Sequence, residues 1–198
     1  MRIYSVLAIL EKPSSDFQDH NLSDKERFVS LLEQFESPLL NYVGRLMGSL
    51  NSEAEDFVQD TFLKFHKKIK IDGWESIDSP SNWLFRVAHN LVMDAGRKKT
   101  VEKKFKEFKV KNTPTADDLE KEFNQLDILV REEAGKKALE ALQQLPEEEK
   151  RVLLLKIIQG FTLKEISEIT GEKIGKIAYR INKGLEKMYS ILKKSGIV

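Results

Sequence analysis

Residues 162–192 read TLKEISEITGEKIGKIAYRINKGLEKMYSIL. Thr162 can cap a short helix, and Glu165 follows three positions later as the reciprocal partner of a capping box. Leu163, Ile166 and Ile169 then share one face. Gly171 supplies a turn where a positive φ is needed, and a second helix is predicted from about Ile174. Ile174, Ile177, Ile181, Leu185 and Met188 are expected to form its buried stripe. An adjacent stripe carries Lys173, Lys176, Arg180, Lys183 and Lys187. A short helix, a glycine turn and a second helix with outward cations is the layout of a helix-turn-helix, whose second helix enters a DNA major groove. Cations there neutralise phosphates, and an arginine can also chelate a guanine edge. A plain helical hairpin with a cationic solvent face has the same pattern, so the residues alone leave both readings open.

Upstream, apolar positions recur with helical spacing in several blocks. Phe28, Leu31, Leu32 and Phe35 form one; Leu39, Tyr42, Val43 and Leu46 form a second, after a break expected at Ser37-Pro38. Ser52 and Glu55 offer another capping box, opening a helix with Phe57, Val58, Phe62 and Phe65 on one side and Asp56, Gln59, Asp60, Lys64 and Lys67 on the other. Residues 71–82 hold Gly73, Pro80 and several Ser and Asp residues, and are predicted to be a loop. In the next stretch, SNWLFRVAHNLVMDAGRKK at residues 81–99, Leu84, Val87, Ala88 and Leu91 face inward, while Trp83, Arg86, Asn90 and Arg97 fall elsewhere. Nearer the end, Ala138 to Leu145 leads to Pro146, and a further helix runs from there through Val152 and Ile158 to a stop at Gly160.

The 198 residues are 40% hydrophobic and 33% charged, with a net charge of +1. That balance fits a globular chain rather than a disordered or membrane-embedded one. The charge is nonetheless patterned: residues 94–111 are basic, 112–135 acidic and 150–198 basic, as if two cationic modules shared an anionic connector. No cysteine is present, which excludes disulfides and thiolate metal sites. His20, His66 and His89 are scattered, so no metal site and no cofactor is expected. There is no glycine-rich phosphate loop and no nucleophile–base constellation, so no catalytic residue is assigned. The apolar run at residues 3–10 is too short to span a bilayer, and no cleavage site follows it; no membrane insertion and a cytoplasmic location are expected.

Three stretches together resemble the extracytoplasmic-function (ECF) sigma factors, the small two-domain group of bacterial RNA polymerase sigma subunits. They are SEAEDFVQDTFLKFHK (52–67), SPSNWLFRVAHNLVMDAGRKK (79–99) and the block from Leu145 to Leu192, in the family's order and spacing. The resemblance covers roughly residues 24–96 and 136–194. It implies an all-α fold: two small helical domains joined by a flexible acidic linker, the C-terminal one a helix-turn-helix. It divides the chain into an N-terminal extension (1–23), sigma region 2 (24–100), a linker (101–135) and sigma region 4 (136–198). The implied activity is promoter-specific transcription initiation without an active site.

The resemblance also implies partners and contacts. Core RNA polymerase would bind through its β′ clamp and β subunits, with Asp56, Gln59, Asp60 and Lys64 as docking residues. The loop 73–80 would capture a base flipped from the −10 strand, with Trp74, Trp83, Arg86, Asn90 and Arg97 holding the unpaired DNA. Stacking on an exposed base contributes about 1–3 kcal/mol, which offsets part of the cost of extruding it. Trp83 fits core packing equally well. Lys173, Lys176, Tyr179, Arg180 and Lys183 would read the −35 duplex. An anti-sigma inhibitor protein is the expected regulator. The recognition helix departs from the family pattern in its preference for lysine and in Ala178-Tyr179. A stand-alone helix-turn-helix repressor and a helical protein adaptor are the competing readings; the helix at residues 53–68 separates them, since a repressor has no use for a polymerase-docking face.

Overall fold

The computed structural model describes residues 20–48, 52–105 and 132–194. The expected N-terminal extension, apart from its last residues, and the middle of the expected acidic linker lie outside the described residues. The fold is all-α. Helices α1 (His20–Met47), α2 (Ser52–Asp72) and α3 (Pro80–Phe105) form a first group, with a single 3-10 turn at Trp74–Ser76 between α2 and α3. Helices α4 (Glu132–Gln143), α5 (Glu147–Leu153), α6 (Leu163–Thr170) and α7 (Ile174–Lys194) form the second.

The first group packs around Phe28, Leu32, Leu39, Tyr42, Phe62, Phe65, Leu84 and Phe85, all essentially inaccessible to solvent. The break expected at Ser37-Pro38 does not occur, and α1 runs through Pro38. Proline removes the N–H that would bond the carbonyl of Gln34. Gln34 is exposed, so water can take that role. The predicted loop at 71–82 is shorter than expected. Helix α2 continues to Asp72, and α3 starts at Pro80, the first-turn position that tolerates a residue without an N–H. Ser79 acts at this start by accepting the Asn82 N–H at 3.3 Å.

The second group contains the expected helix-turn-helix. Thr162 Oγ1 accepts the Glu165 N–H, the Glu165 carboxylate accepts the Thr162 N–H at 2.7 Å, and Gly171 ends α6 with φ 71°. The backbone hydrogen bond holds the Glu165 carboxyl below its ordinary range. The buried stripe of α7 differs from the expected one. Ile177 and Ile181 are buried, but Ile174 and Leu185 are 47% and 44% exposed, and Arg180 and Gly184 face inward instead. Two features turn the helix this way. A Cβ on Gly184 would lie 2.6 Å from Leu153 Cδ1, so only glycine lets α7 approach α5 this closely. Arg180 is drawn in by carboxylates: it pairs with Glu172, in the turn between α6 and α7, and with Glu148 at the start of α5. Helix α5 itself passes into a π-helical turn at Leu154–Ile158 before Gly160 reverses the chain at φ 75°.

The two groups pack directly on one another, and their buried apolar residues form one continuous cluster. Helix α6 lies against α3. Phe85 of α3 meets Phe161 edge-on, with ring centroids 5.0 Å apart. Gln159 Nε2 donates to the Pro38 carbonyl at 3.4 Å, and Gln143 Nε2 to the Arg45 carbonyl at 3.3 Å. Arg151 of α5 donates to Glu172 at 2.7 Å and reaches Met93 Sδ at 3.7 Å. Beneath this seam His89 is buried and shares a 2.9 Å hydrogen bond with the Tyr42 hydroxyl. Burial and then the Arg151 charge push the His89 imidazole down to about 4.

Two outcomes follow from this packing. Gly184→Ala should lower stability by roughly 1–3 kcal/mol in urea denaturation, because the new methyl overpacks against Leu153. Because His89 binds its proton less readily folded than unfolded, its stabilisation is complete above pH 6.5 and fades as pH falls toward 4. Stability should therefore drop by about 2 kcal/mol between pH 7.5 and pH 5, and His89→Gln should flatten that part of the pH profile.

Candidate nucleic-acid interface

Helix α2 places its apolar side, with Ala54, Val58, Phe62, Phe65 and Ile69, in the core. That leaves Asp56, Asp60 and Lys64 exposed and Gln59 half-exposed on the opposite side. At helical spacing of four residues, Asp56, Asp60 and Lys64 rise along one line, so a single flat partner surface could meet all three.

The loop after α2 starts from Gly73 at φ 78°, a left-handed conformation that a side chain would strain. It seats Trp74 edge-on to Phe65 at 5.7 Å, with the Arg27 guanidinium 4.3 Å from the Trp74 ring centre. Trp83 meets the same Phe65 edge-on at 5.3 Å. Both tryptophans are half-buried, each with part of its ring committed to the core and part left free. Arg86 and Asn90 are exposed on α3, as is Arg97, which pairs with Asp94. Trp83 and Arg86, with Ser76, Asp78, Ser79 and Asn82, surround a cavity of about 230 Å³, and Glu168 of α6 completes its wall. Trp74 does not line it. Asn82, Asp78 and Glu168 carry polar atoms at this cavity that the sequence reading missed. The N-cap pattern Ser79-Pro80-Ser81-Asn82 is the signal that could have drawn attention to Asn82.

Lys173, just before α7, and Lys176, Tyr179 and Lys183 on it are exposed. Lys183 Nζ stands 5.5 Å from the centre of the Tyr179 ring, a cation–π distance that holds the two as one unit. Arg180 does not belong with them. Its side chain is 6% exposed and clamped between Glu172 and Glu148, so the expected direct contact with a base does not fit its placement. Lys176 is 3.6 Å from the same Glu172. Burial pushes the Glu172 carboxyl up, but the Arg180 hydrogen bond and the charges of Arg151, Arg180 and Lys176 outweigh it and hold the group below its ordinary range.

Together these features give a polar helix face of mixed charge, a small polar and aromatic cavity beside exposed cations, and a cationic second helix of a helix-turn-helix. Among the described residues no cluster of His, Asp or Glu could hold a metal, and no helix is long and apolar enough to cross a membrane.

Comparison with known proteins is consistent with both halves. Residues 31–101 match the Sigma-70 region 2 family, and residues 136–188 match Sigma-70, region 4. The ECF RNA polymerase sigma factor SigW of Bacillus subtilis is 28% identical over 171 residues, which span 82% of this chain and 87% of the relative. The ECF RNA polymerase sigma factor RpoE of Cereibacter sphaeroides is 24% identical over 175 residues, spanning 86% of this chain and 88% of the relative. Among solved structures, the fold is similar to the sigma factor RpoE in complex with the anti-sigma factor NepR from Bartonella quintana, with a TM-score of 0.61, 23% identity and 86% and 97% of the two chains covered. It is also similar to CnrH in complex with the cytosolic domain of CnrY, with a TM-score of 0.59, 21% identity and coverage of 86% and 90%. With region 2 and region 4 present in order on one chain, and ECF sigma factors matching most of its length, this chain belongs to the ECF group of the sigma-70 family.

Proposed function

We propose that this sigma factor carries core RNA polymerase to promoters by gripping the DNA at two sites, without an active site of its own. The observation that carries the reading is the presence of a region 2 module and a region 4 helix-turn-helix on one chain, in that order. The module spanning residues 24–100 docks on core polymerase and holds the melted −10 strand. The module spanning 136–198 lies in the −35 major groove. Residues 101–135 form the linker, and the negative charge of its acidic stretch, 112–135, suits a segment lying in a channel built for nucleic acid. Residues 1–23 are an extension. The place of action is the cytoplasm, with the polymerase.

Within this reading Asp56, Gln59, Asp60 and Lys64 form the docking face on the β′ clamp. Trp83, Arg86, Asn90 and Arg97 hold the unpaired strand, with Trp74 at its border. Lys173, Lys176, Tyr179 and Lys183 meet the −35 duplex, and Arg180 positions the turn through Glu172 rather than touching DNA. An anti-sigma protein is the expected inhibitor: the two structural neighbours named above are complexes, one with the anti-sigma factor NepR and one with the cytosolic domain of CnrY.

Mixed with bacterial core polymerase, the chain should co-elute on gel filtration and support promoter-dependent initiation; separate elution would sink the reading. Asp60→Lys should weaken core binding about tenfold while leaving the far-ultraviolet circular dichroism spectrum unchanged, since it reverses a charge at a docking rim. Replacing Lys176 and Lys183 with alanine should weaken duplex binding and lower the slope of log affinity against log salt by about 1 per lysine, as expected when each releases one counterion.

A further inference from the structure

We propose that Glu168 is a gate: in the closed chain its carboxylate occupies the mouth of the region 2 cavity, blocking entry of an unpaired DNA strand while leaving the duplex-reading helix free. This inference rests on the assignment of that cavity to the strand. Glu168 and Asn82 are 86 positions apart and belong to different modules, yet Asn82 Nδ2 donates to Glu168 Oε2 at 3.0 Å. Glu168 also forms one wall of the cavity whose other walls include Trp83 and Arg86.

The state of Asn82 singles this contact out. An ionised carboxylate can only accept, so the amide must turn its NH₂ toward Glu168. Its Oδ1 is then left buried without a hydrogen-bond partner. An amide held by one end only is poised for a better ligand, since an unmade bond at a buried acceptor is costly. The edge of a nucleobase offers donors as well as acceptors and can satisfy both ends. Glu168 therefore acts as a partial substitute for a base. It also adds a second carboxylate to that of Asp78 in the cavity that Arg86 lines, which opposes an incoming phosphate.

The gate is one-sided. Lys173 just before α7 and Lys176, Tyr179 and Lys183 on it are exposed while α6 rests on α3. The seam that keeps Glu168 in place includes the Phe85–Phe161 ring contact, the Arg151–Met93 contact and hydrogen bonds of 3.3 and 3.4 Å from Gln143 and Gln159 to α1 carbonyls. Separation of the modules, as binding at two distant promoter elements requires, withdraws Glu168 and frees Asn82 in the same movement.

The test uses the full chain and two fluorescein-labelled random-sequence DNAs of 20 nucleotides, one single-stranded and one duplex, followed by anisotropy. Glu168→Ala should raise affinity for the single strand at least threefold and change affinity for the duplex less than twofold. Glu168→Gln, which keeps an acceptor for Asn82 but removes the charge, should show a smaller gain. Glu140→Ala removes an exposed carboxylate from α4 and should move neither probe. Equal gains on both DNAs, or no gain on the single strand, would overturn the gate and leave the sigma-factor reading intact. Failure of wild type and variants alike to bind either DNA or core polymerase would instead remove the assignment of the cavity, and the gate with it.

Discussion

One carboxylate organises the C-terminal half of the chain and its seam with the N-terminal half. Glu172 follows the left-handed Gly171, and the Ser167 hydroxyl donates to its backbone carbonyl at 2.6 Å. From that turn its side chain accepts from Arg180 on α7 and Arg151 on α5, so the turn and both of these helices converge on a single charge. Removing one member of such a largely buried cluster costs about 3–5 kcal/mol, because the remaining charges are left uncompensated. Arg151 extends the effect across the seam. It reaches Met93, and its charge is one reason His89 stays neutral.

This arrangement explains the chemical character of the recognition helix. The arginine nearest its centre is spent on architecture, and the outward positions fall to lysines and Tyr179. Lysine is a compact point charge on a flexible stem, suited to phosphates; it lacks the rigid fork with which arginine reads a guanine edge. In the proposed −35 contact, sequence selection by this helix would lean on Tyr179 and on the fit of the backbone, with the lysines supplying attraction that is indifferent to sequence.

The local signals in the sequence were reliable where one short segment decided the outcome. The capping box at Thr162 and Glu165 and the turn at Gly171 are present as the spacing implied, because caps depend only on neighbouring residues. The helical periodicity around Phe62, Phe65 and Leu84 likewise located the core of region 2. What could not be read depended on partners far away in the chain. The inward turn of Arg180 requires Glu148 and Glu172, and the exposure of Ile174 and Leu185 follows from that turn and from the close approach at Gly184. Pro38 looked like a helix end because proline breaks an isolated helix, but packing on both sides of it carries α1 through. The docking of one module on the other has no periodic signature; the Asn82–Glu168 and Phe85–Phe161 pairs match residues that nothing in a linear reading brings together.

The continuity of the apolar cluster across both modules has a thermal consequence. Parting the modules must wet hydrocarbon such as Phe85 and Phe161, so the closed-to-open equilibrium carries a positive heat-capacity change. Its free energy is then a curved function of temperature with a single maximum. Closure is tightest at one intermediate temperature and loosens on either side of it, so the apposition of the two modules is itself a thermometer.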